Sequence, residues 1–252
     1  MSSMFNIGVS GLNAARSSLS TTSHNIGNVN TDGYRAEEHR LRAVEVQRQG
    51  YSQVTALPVR SFAVDASTHT DFSPGPMIAT GRQLDIAVKG RGYIALAMPD
   101  GTEAYTRAGS LQIGVDGILQ TEGGIPVAGD GGAINVPPDT RVTIGDDGTI
   151  SVVPESGSVA NVNAVGRIKL VEPAEADLVR GGDGFFRVAG GVPAAASETA
   201  RIAPGFIEES NVNPAEQMVA MISLARQFEM QIKMLQTADA NDRAAAQLLS
   251  PR

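Results

Sequence analysis

The sequence predicts an α+β protein with a long α-helix at each end and an all-β domain between them. Both ends carry apolar residues at heptad spacing, which keeps one stripe of a helix turned toward a partner helix. The chain has 28 glycines and 13 prolines but only 4% aromatic residues, and this composition favours short strands and turns in the middle. Its 252 residues are 42% hydrophobic, which suffices for a folded core. We expect the terminal helices to form a coiled-coil-like core.

The first helix is predicted over Ser3–Gly27, in an N-terminal segment that spans residues 1–34. Its apolar stripe recurs mainly at intervals of seven residues, at Phe5, Val9, Leu12, Ala15, Leu19 and Ile26. The run Asn28–Gly33 follows, and it is rich in Asn, Asp and Gly, which adopt positive φ at low cost. We expect the helix to stop there and the chain to change direction.

The next segment, residues 35–83, carries weaker signals. A strand is possible at Leu41–Val46, and polar sequence then continues to Ser73–Pro76. We predict that most of this segment is an extended linker or arm.

Residues 84–204 consist of short apolar runs separated by Gly, Asp and Pro, a pattern that is typical of an all-β domain. Asp-Gly pairs between the runs indicate hairpin turns. The spacing leaves a barrel and a sandwich equally open. The predicted strands are Ile86–Val88, Tyr93–Met98, Ser110–Ile113, Ile134–Val136, Val142–Ile144, Ile150–Val153, Val165–Val171 and Phe185–Val188.

The C-terminal segment, residues 205–252, contains a second long helix, predicted from Pro214 to Leu249. Asn213 precedes a proline at the first helical position and Glu216 follows, which is a typical helix start. The apolar seam consists of Met218, Met221, Ala225, Phe228, Ile232 and Leu235. The heptad positions continue at Asp239 and Asp242, and two acids would cost several kcal/mol if they were buried unpaired. We expect the tight contact to end near Thr237.

Composition argues against several classes of function. A formal net charge of -7 offers no attraction to nucleic acid. No apolar run approaches the roughly 20 residues that cross a bilayer, and the N-terminus lacks the pattern of a cleavable signal peptide. The chain has no cysteine and three histidines, none spaced for a zinc helix. We therefore expect no cofactor, no metal, no catalytic residues, no nucleic-acid partner and no membrane insertion.

Other candidate sites have simpler explanations. Asp130, Asp139, Asp146 and Asp147 lie beside glycines or in polar turn sequence and lack the spacing of a calcium loop, so we interpret them as turn residues. Gly90–Gly92 lacks the third glycine of a dinucleotide loop. No serine has the flanking glycines of a nucleophile elbow, although composition cannot exclude a Ser-His-acid triad. A ligand-binding β-domain with helical oligomerisation ends and a secreted hydrolase therefore remain alternatives.

Four blocks of residues resemble the signatures of the axial proteins of the bacterial flagellum, the rod, hook and hook-associated subunits. Gly27 and Asp32 depart from the usual alanine and the common proline of the N-terminal signature. In the N-terminal block, Ser23–Arg35, the matching residues are Asn25, Asn28, Thr31, Gly33 and Tyr34. The two internal blocks are Thr80–Val88, with Leu84 and Asp85, and Tyr105–Gly109, with Tyr105, Thr106 and Arg107. The C-terminal block is Glu209–Val212, with Ser210, Asn211 and Val212, and it continues in Met218–Ile222 and Arg226–Glu229.

This resemblance implies a structural, non-enzymatic subunit of the basal-body rod in the periplasm, with terminal helices packed in the rod core. The rod is a drive shaft that passes motor torque to the hook and filament. The implied partners are other copies of the chain, other proximal-rod proteins, the distal-rod protein and, during secretion, the flagellar export apparatus, without a cleavable signal peptide. The similarity is greatest to proximal-rod subunits, and a distal-rod subunit is the alternative within the family.

Overall fold

The computed structural model describes residues 3–45, 61–154 and 162–249. The chain divides into two compact units. The helical unit comprises Met1–Asn28, Ala36–Asp71 and Val212–Arg252, and the β-unit comprises Val29–Arg35 and Phe72–Asn211. Two helices at the ends and a strand-rich middle confirm the predicted α+β class.

The helical unit contains α1 (Ser3–Gly27), β1 (Glu37–Glu45), β2 (Ser61–Thr70) and α2 (Pro214–Leu249). The β-unit contains one short 3-10 turn, Glu175–Asp177, and sixteen described strands. They are β3 (Met77–Ala79), β4 (Ile86–Lys89), β5 (Tyr93–Ala97), β6 (Glu103–Thr106), β7 (Leu111–Ile113), β8 (Leu119–Thr121), β9 (Ala128–Gly129), β10 (Gly132–Ala133), β11 (Thr140–Ile144), β12 (Thr149–Pro154), β13 (Asn163–Arg167), β14 (Leu170–Val171), β15 (Leu178–Arg180), β16 (Phe186–Val188), β17 (Arg201–Pro204) and β18 (Phe206–Glu208).

Both helices begin and end where the sequence predicts. At the start of α2, Asn213 Oδ1 accepts hydrogen bonds from the backbone N–H groups of Ala215 at 3.1 Å and Glu216 at 3.4 Å. These bonds satisfy two of the donors that a helix start leaves without a partner. At the end of α1, the Asn28 backbone N–H and side-chain amide both donate to the carbonyl of His24.

The segment predicted as an extended arm contains two long strands rather than one. β1 and β2 pair antiparallel from Glu37 opposite Thr70 to Glu45 opposite Ser61, with a register shift after Arg40. β2 was not predicted, because its residues alternate only weakly between apolar and polar. Backbone hydrogen bonds along the ladder stabilise such a pair without an apolar pattern. Val46, the predicted end of the first strand, lies outside the described residues.

Helices α1 and α2 pack antiparallel within the helical unit. A methyl group at Gly8 would lie 2.5 Å from Leu235 Cδ2, and one at Gly11 would lie 3.0 Å from Gln231 Nε2. Asn25 Nδ2 donates to Gln217 Oε1 at 3.4 Å. Rising residue numbers on α1 therefore face falling numbers on α2. Glycines on α1 allow this close approach, because a larger side chain would collide with α2.

The β-unit contains a five-stranded antiparallel sheet in the order β14-β5-β6-β16-β15 and a three-stranded sheet in the order β11-β12-β13. The pairs β7-β8, β9-β10, β4-β17 and β3-β18 complete the described ladders. Aliphatic side chains from these strands form the main core, including Ile86, Ile94, Leu96, Leu111, Leu119, Ile150, Ile168 and Ile202. Tyr93, Tyr105 and Phe186 belong to a second cluster.

Seven of the eight predicted strands fall on observed strands, and the predicted strand Val165–Val171 is split between β13 and β14. The eighth, Ile134–Val136, makes only a single bridge, between Asn135 and Ile118. The last strands were missed, and they return to the start of the unit, where β17 pairs with β4 and β18 with β3. Only three or four residues long, they carry no visible period in the sequence.

Candidate functional site

Three charged side chains meet in the interior of the β-unit. Arg35, Glu208 and Arg107 are 0%, 1% and 3% exposed. Arg35 follows the turn after α1, Arg107 follows β6, and Glu208 ends β18. Glu208 Oε1 lies 2.5 Å from Arg35 Nη2, and its Oε2 lies 3.0 Å from Arg107 Nη1. One carboxylate therefore bridges two guanidinium groups, and we call these three residues the charge cluster.

Backbone groups supply further hydrogen bonds to the charge cluster. Arg107 donates to the carbonyls of Val88 at 3.1 Å and Gly90, and the Gly75 N–H donates to Glu208 Oε1 at 2.9 Å. Among the described residues, Arg35 Nε and Nη1 and Arg107 Nε have no hydrogen-bond partner. Burial lowers the pKa of Arg107, although Glu208 opposes this shift. The arginines therefore depend on Glu208, because a buried charge without a counter-charge is costly.

Aromatic rings surround the arginines of this region. Arg107 Cζ lies 5.0 Å from the centre of the Tyr93 ring, and Arg180 Cζ lies 4.3 Å from that of Tyr34. Ring faces attract guanidinium groups electrostatically. Arg180 Nη1 also donates to the Arg35 carbonyl at 2.9 Å. Burial raises the pKa of Tyr93, and the neighbouring Arg107 opposes this shift. Arg180 thus contacts the Tyr34–Arg35 segment twice, at the Tyr34 ring and at the Arg35 carbonyl.

The N-terminal and C-terminal signatures meet beside the charge cluster. The Gly33 N–H donates to the Glu208 carbonyl at 2.7 Å, and the Asn211 N–H donates to the Tyr34 carbonyl at 3.3 Å. Gly33 has φ of +66°, and a Cβ there would lie 2.3 Å from the Arg107 carbonyl carbon. Only glycine fits this position, which explains the glycine of the signature. Asn211 Nδ2 also donates to the Ser73 carbonyl at 3.0 Å.

The other N-terminal signature residues shape the end of α1 and the turn after it. Asn25 is buried, and its amide donates to the Glu37 carbonyl at 2.8 Å while its Oδ1 accepts from the Glu37 N–H at 2.9 Å. Asn28 caps α1, as described above. Thr31 is exposed, and its carbonyl accepts from the Tyr34 N–H at 3.2 Å. These side chains and backbone groups stabilise the turn by which the chain leaves α1 and continues to β1.

The remaining signature residues lie in the β-unit, except Val212, which is buried in the helical unit. Asp85 Oδ2 accepts from Thr80 Oγ1 at 2.6 Å, and the Asp85 carbonyl accepts from the Gly205 N–H at 2.7 Å. The Tyr105 hydroxyl donates to Glu103 and accepts from the Ala194 N–H. Leu84 packs against the main core, and Ser210 is buried. Thr106 Oγ1 accepts a hydrogen bond from the Ala108 N–H.

Asp32, the residue that replaces the common proline, lies in an acidic part of the β-unit. Burial raises the pKa of its carboxyl group, and the charges of Glu122, Asp85 and Glu209 raise it further. Ionised Asp32 is therefore unfavourable in the folded chain.

The predicted apolar seams lie partly in the contact between the helices. On α2, Met221, Phe228, Ile232 and Leu235 are half-buried, whereas Met218 and Ala225 are exposed. On α1, Val9, Leu12, Leu19 and Ile26 are only half-buried. The fully buried described residues of α1 are mostly small: Gly8, Ala14, Ala15, Thr21, Thr22 and Asn25. The side chain of Phe5 lies outside the described part of the chain.

Asp239 is exposed and forms an ion pair with Arg243 at 2.7 Å. The half-buried stripe of α2 continues to Ala238, so the acid does not enter the helix contact. The side chain of Asp242 lies outside the described part of the chain.

Each unit has an open cleft lined by described residues. The cleft of the β-unit has a volume of about 620 Å³, with Ala and Gly in its walls and an ion pair between Lys169 and Glu103 at 2.7 Å. The cleft of the helical unit has a volume of about 380 Å³ and includes His24, Glu37 and His39. Within the described residues, no three His, Asp or Glu side chains are placed to hold a metal ion, and neither helix could span a membrane.

Comparisons with known proteins agree with this arrangement. The family model "Flagella basal body rod protein" matches residues 5–35, "Flagellar hook protein FlgE/F/G D1 domain" matches residues 87–152, and "Flagellar basal body rod FlgEFG protein C-terminal" matches residues 203–248. The first and third matches contain Arg35 and Glu208, and the second contains Arg107. All three members of the charge cluster thus lie in matched segments.

Relatives over nearly the full length decide the family. The flagellar basal-body rod protein FlgF of Escherichia coli is 40% identical, with 91% of each chain covered. FlgF of Caulobacter vibrioides is 32% identical, with 96% of each covered, and FlgG of Buchnera aphidicola is 31% identical, with 92% of this chain and 94% of the relative covered.

The chain belongs to the flagellar basal-body rod proteins. It is a structural rod subunit, a component of the flagellar basal body that assembles with other rod subunits. Its similarity to FlgF exceeds its similarity to the FlgG just described. A ligand-binding protein or a hydrolase is not favoured, because these rod proteins match more than nine tenths of the chain and not one domain alone.

Several important residues of this rod protein were not among the predicted site residues. Arg35, Glu208, Tyr93 and Arg180 all contribute to the charge cluster or its aromatic surroundings. Arg35 and Arg107 lie one and two residues after a tyrosine within signature blocks, and an acid directly precedes the last block. Charged residues in such blocks were a signal for a buried ion pair, but the pairing itself depends on the fold.

Proposed function

We propose that this rod protein is a non-enzymatic subunit of the proximal rod in the periplasm, which polymerises through both terminal helices into a coiled-coil-like core. In this proposal residues 1–34 and 205–252 supply the core, residues 35–83 form an arm and residues 84–204 the body of the β-domain. The observation that carries the proposal is that α2 has apolar side chains on two roughly opposite faces. Helix α1 packs against only one of them.

The inner face of α2 packs against α1 of the same chain. Leu224, Phe228 and Leu235 are half-buried on the side that meets α1. They follow the three-four spacing of a packed helix stripe. This contact explains why α1 presents Gly8 and Gly11 toward α2, and it leaves the rest of α2 open to a partner.

The outer face of α2 carries Met218, Val219 and Ile222, which are 55%, 68% and 56% exposed. Met230 and Met234, farther along the helix, are also exposed. At 3.6 residues per turn Val219, Ile222 and Met230 point away from the contact with α1, and Met218 and Met234 lie on the two flanks of that outer face. Scattered exposed apolar residues are ordinary, but several on one side of a helix indicate a surface that binds a partner.

Helix α1 also keeps apolar surface after it packs on α2, because Leu12, Leu19 and Ile26 remain only half-buried. We propose that this surface and α2 together contact the helices of neighbouring subunits. Long helices in contact along their length would share the torsional load of a drive shaft. The proposed assembly residues are Phe5, Val9, Leu12, Leu19, Ile26, Met218, Met221, Ala225, Phe228, Ile232 and Leu235.

The experiment that tests this assembly role places a charge on the outer face of α2. The Val219→Asp variant should fold with an unchanged melting temperature, because Val219 is exposed, but it should abolish swimming in a strain that lacks the native gene. The matched control is Gln227→Asp, which adds the same charge at an exposed position on the flank of α2. Normal swimming with Val219→Asp, or loss of swimming with both variants, would contradict the proposal.

The proximal position is supported by the greater similarity to FlgF than to FlgG. We expect the gene to restore motility to a strain that lacks FlgF and not to a strain that lacks FlgG. The reverse result would support the distal-rod alternative. Other proximal-rod proteins, the distal-rod protein and the flagellar export apparatus are the proposed partners, on the strength of the family resemblance.

A further inference from the structure

Methionines are the sulfur-containing residues of this chain, which has eight of them and no cysteine. Four lie on α2, at positions 218, 221, 230 and 234. A chain without thiols can respond to an oxidant through sulfur only at its thioethers. Half of the methionines of the chain are therefore on this one helix.

The four methionines of α2 differ in exposure. Met218, Met230 and Met234 are 55%, 63% and 45% exposed, whereas Met221 is half-buried on the stripe that packs against α1. We infer that Met218, Met230 and Met234 are sites of reversible oxidation, and that their sulfoxides prevent incorporation of the free subunit into the rod. The second part of this inference rests on the proposed assembly role of α2.

The reaction needs a peroxide as oxidant. The thioether sulfur attacks one peroxide oxygen, so that an S–O bond forms and the O–O bond breaks. The other oxygen leaves as water or an alcohol after it takes up a proton. Sulfur loses two electrons, and the peroxide gains them. The return reaction needs a dithiol reductant, which becomes a disulfide while the sulfoxide oxygen leaves as water.

The consequence for the surface of α2 is a change of polarity without a change of charge. Methionine is apolar and flexible, and it fills irregular contacts well. Its sulfoxide is polar and would lose hydrogen bonds to water if it were buried in an apolar contact. Sulfoxides at Met230 on the outer face and at Met218 and Met234 on its flanks would therefore weaken packing against another helix. In an assembled rod the same side chains would be covered and protected from the oxidant.

The first test maps oxidation on the free subunit. Purified full-length protein is treated with hydrogen peroxide, and each methionine-containing peptide is quantified by mass spectrometry over time. We expect Met218, Met230 and Met234 each to react about fivefold faster than Met221, the matched control on the same helix. Equal rates at all four positions would overturn the inference.

The second test separates loss of sulfur from gain of polarity. A triple Met→Leu variant at positions 218, 230 and 234 keeps the face apolar, whereas a triple Met→Gln variant imitates the neutral, polar sulfoxide. In a strain without the native gene, the glutamine variant should swim much less than the leucine variant. Normal swimming with the glutamine variant would overturn the inference. The proposed assembly role is tested separately by Val219→Asp, so its failure can be told apart from failure of the oxidation inference.

Discussion

Glu208 and Arg35 form a buried ion pair with 2.5 Å between Oε1 and Nη2, although they lie 173 positions apart in the sequence. The pair joins the segment that leaves α1 to the segment that leads into α2. Arg107 adds a second contact from the middle of the chain. Signature blocks from the start and the middle of the chain are thus joined at one carboxylate, which directly precedes the last block.

Replacement of Glu208 by glutamine should destabilise the β-unit strongly. Two buried guanidinium groups would lose their counter-charge, and breaking a buried pair in this way costs about 3–5 kcal/mol. Urea denaturation followed by circular dichroism measures the loss. Glu209→Gln is the matched control, because the neighbouring side chain is only half-buried, and we expect it to change stability by about 0.5 kcal/mol or less. Similar losses in both variants would show that Glu208 has no special role.

Alanine at Gly33 should be far more harmful than alanine at Gly81. Both glycines have positive φ, +66° and +71°, so alanine costs about 1 kcal/mol or more in backbone strain at either site. A Cβ at Gly33 would also meet Arg107 and Ala108 backbone atoms at 2.3 and 2.4 Å, whereas one at Gly81 meets nothing within 4 Å. We expect a difference of about 2 kcal/mol between the unfolding free energies. Equal values would contradict the close approach at Gly33.

The Asn25→Asp variant should destabilise the end of α1. Aspartate matches asparagine in shape but cannot donate to the Glu37 carbonyl, and it would place a buried charge beside that oxygen. The expected cost is about 2–3 kcal/mol, measured by thermal or urea unfolding. Asn28→Asp serves as control, because its side-chain bond to His24 is exposed. A larger effect at position 28 would be inconsistent with this account.

Stability should depend on pH through Asp32. The pKa of its carboxyl group in the folded chain is raised above 3.8 by burial and by Glu122, Asp85 and Glu209, so ionisation opposes folding. The free energy of unfolding should therefore fall as pH rises from 3.8 through the raised pKa, and stay lower above it. Asp32→Asn removes this loss. It should be more stable than the wild type at neutral pH and about equal to it under acid conditions.

Urea titrations at about pH 3.5 and pH 7 measure this difference. Asp130→Asn, at an exposed position, provides the control for a general change in net charge. A stabilisation of Asp32→Asn that is the same at both pH values would contradict the assignment to ionisation of Asp32.

Local signals in the sequence were sufficient for the helices. Asn213 and Pro214 define the start of α2 because capping involves only residues within one turn. The run after Gly27 ends α1 for the same reason. Seven of the eight predicted strands were found, since turns with Gly and Asp are also local. Strands β17 and β18 were missed, because three or four residues show no period and their partners β4 and β3 lie more than 100 residues earlier in the chain.

The contact face of α1 illustrates the opposite case. The heptad residues Leu12, Leu19 and Ile26 predicted the apolar stripe. Gly8, which lies against Leu235 of α2, stands in the same heptad register but was not among the predicted residues. Large apolar residues contribute most to a pattern search, whereas close packing of two helices can favour the smallest side chains. Which positions of the stripe come closest to the partner helix depends on that helix, and this cannot be read from one helix alone.

By itself, the sequence determined the α+β class, both helix boundaries, the turn after α1 and the resemblance to flagellar axial proteins. Each of these depends on residues that are close together in the chain or on matched blocks. Only the tertiary structure decided that Arg35, Arg107 and Glu208 share one buried site, that α1 covers one face of α2, and that Met218, Val219 and Ile222 remain exposed. The physical reason is that burial and ion pairing depend on distances in space, which residues far apart in sequence acquire only when the chain folds.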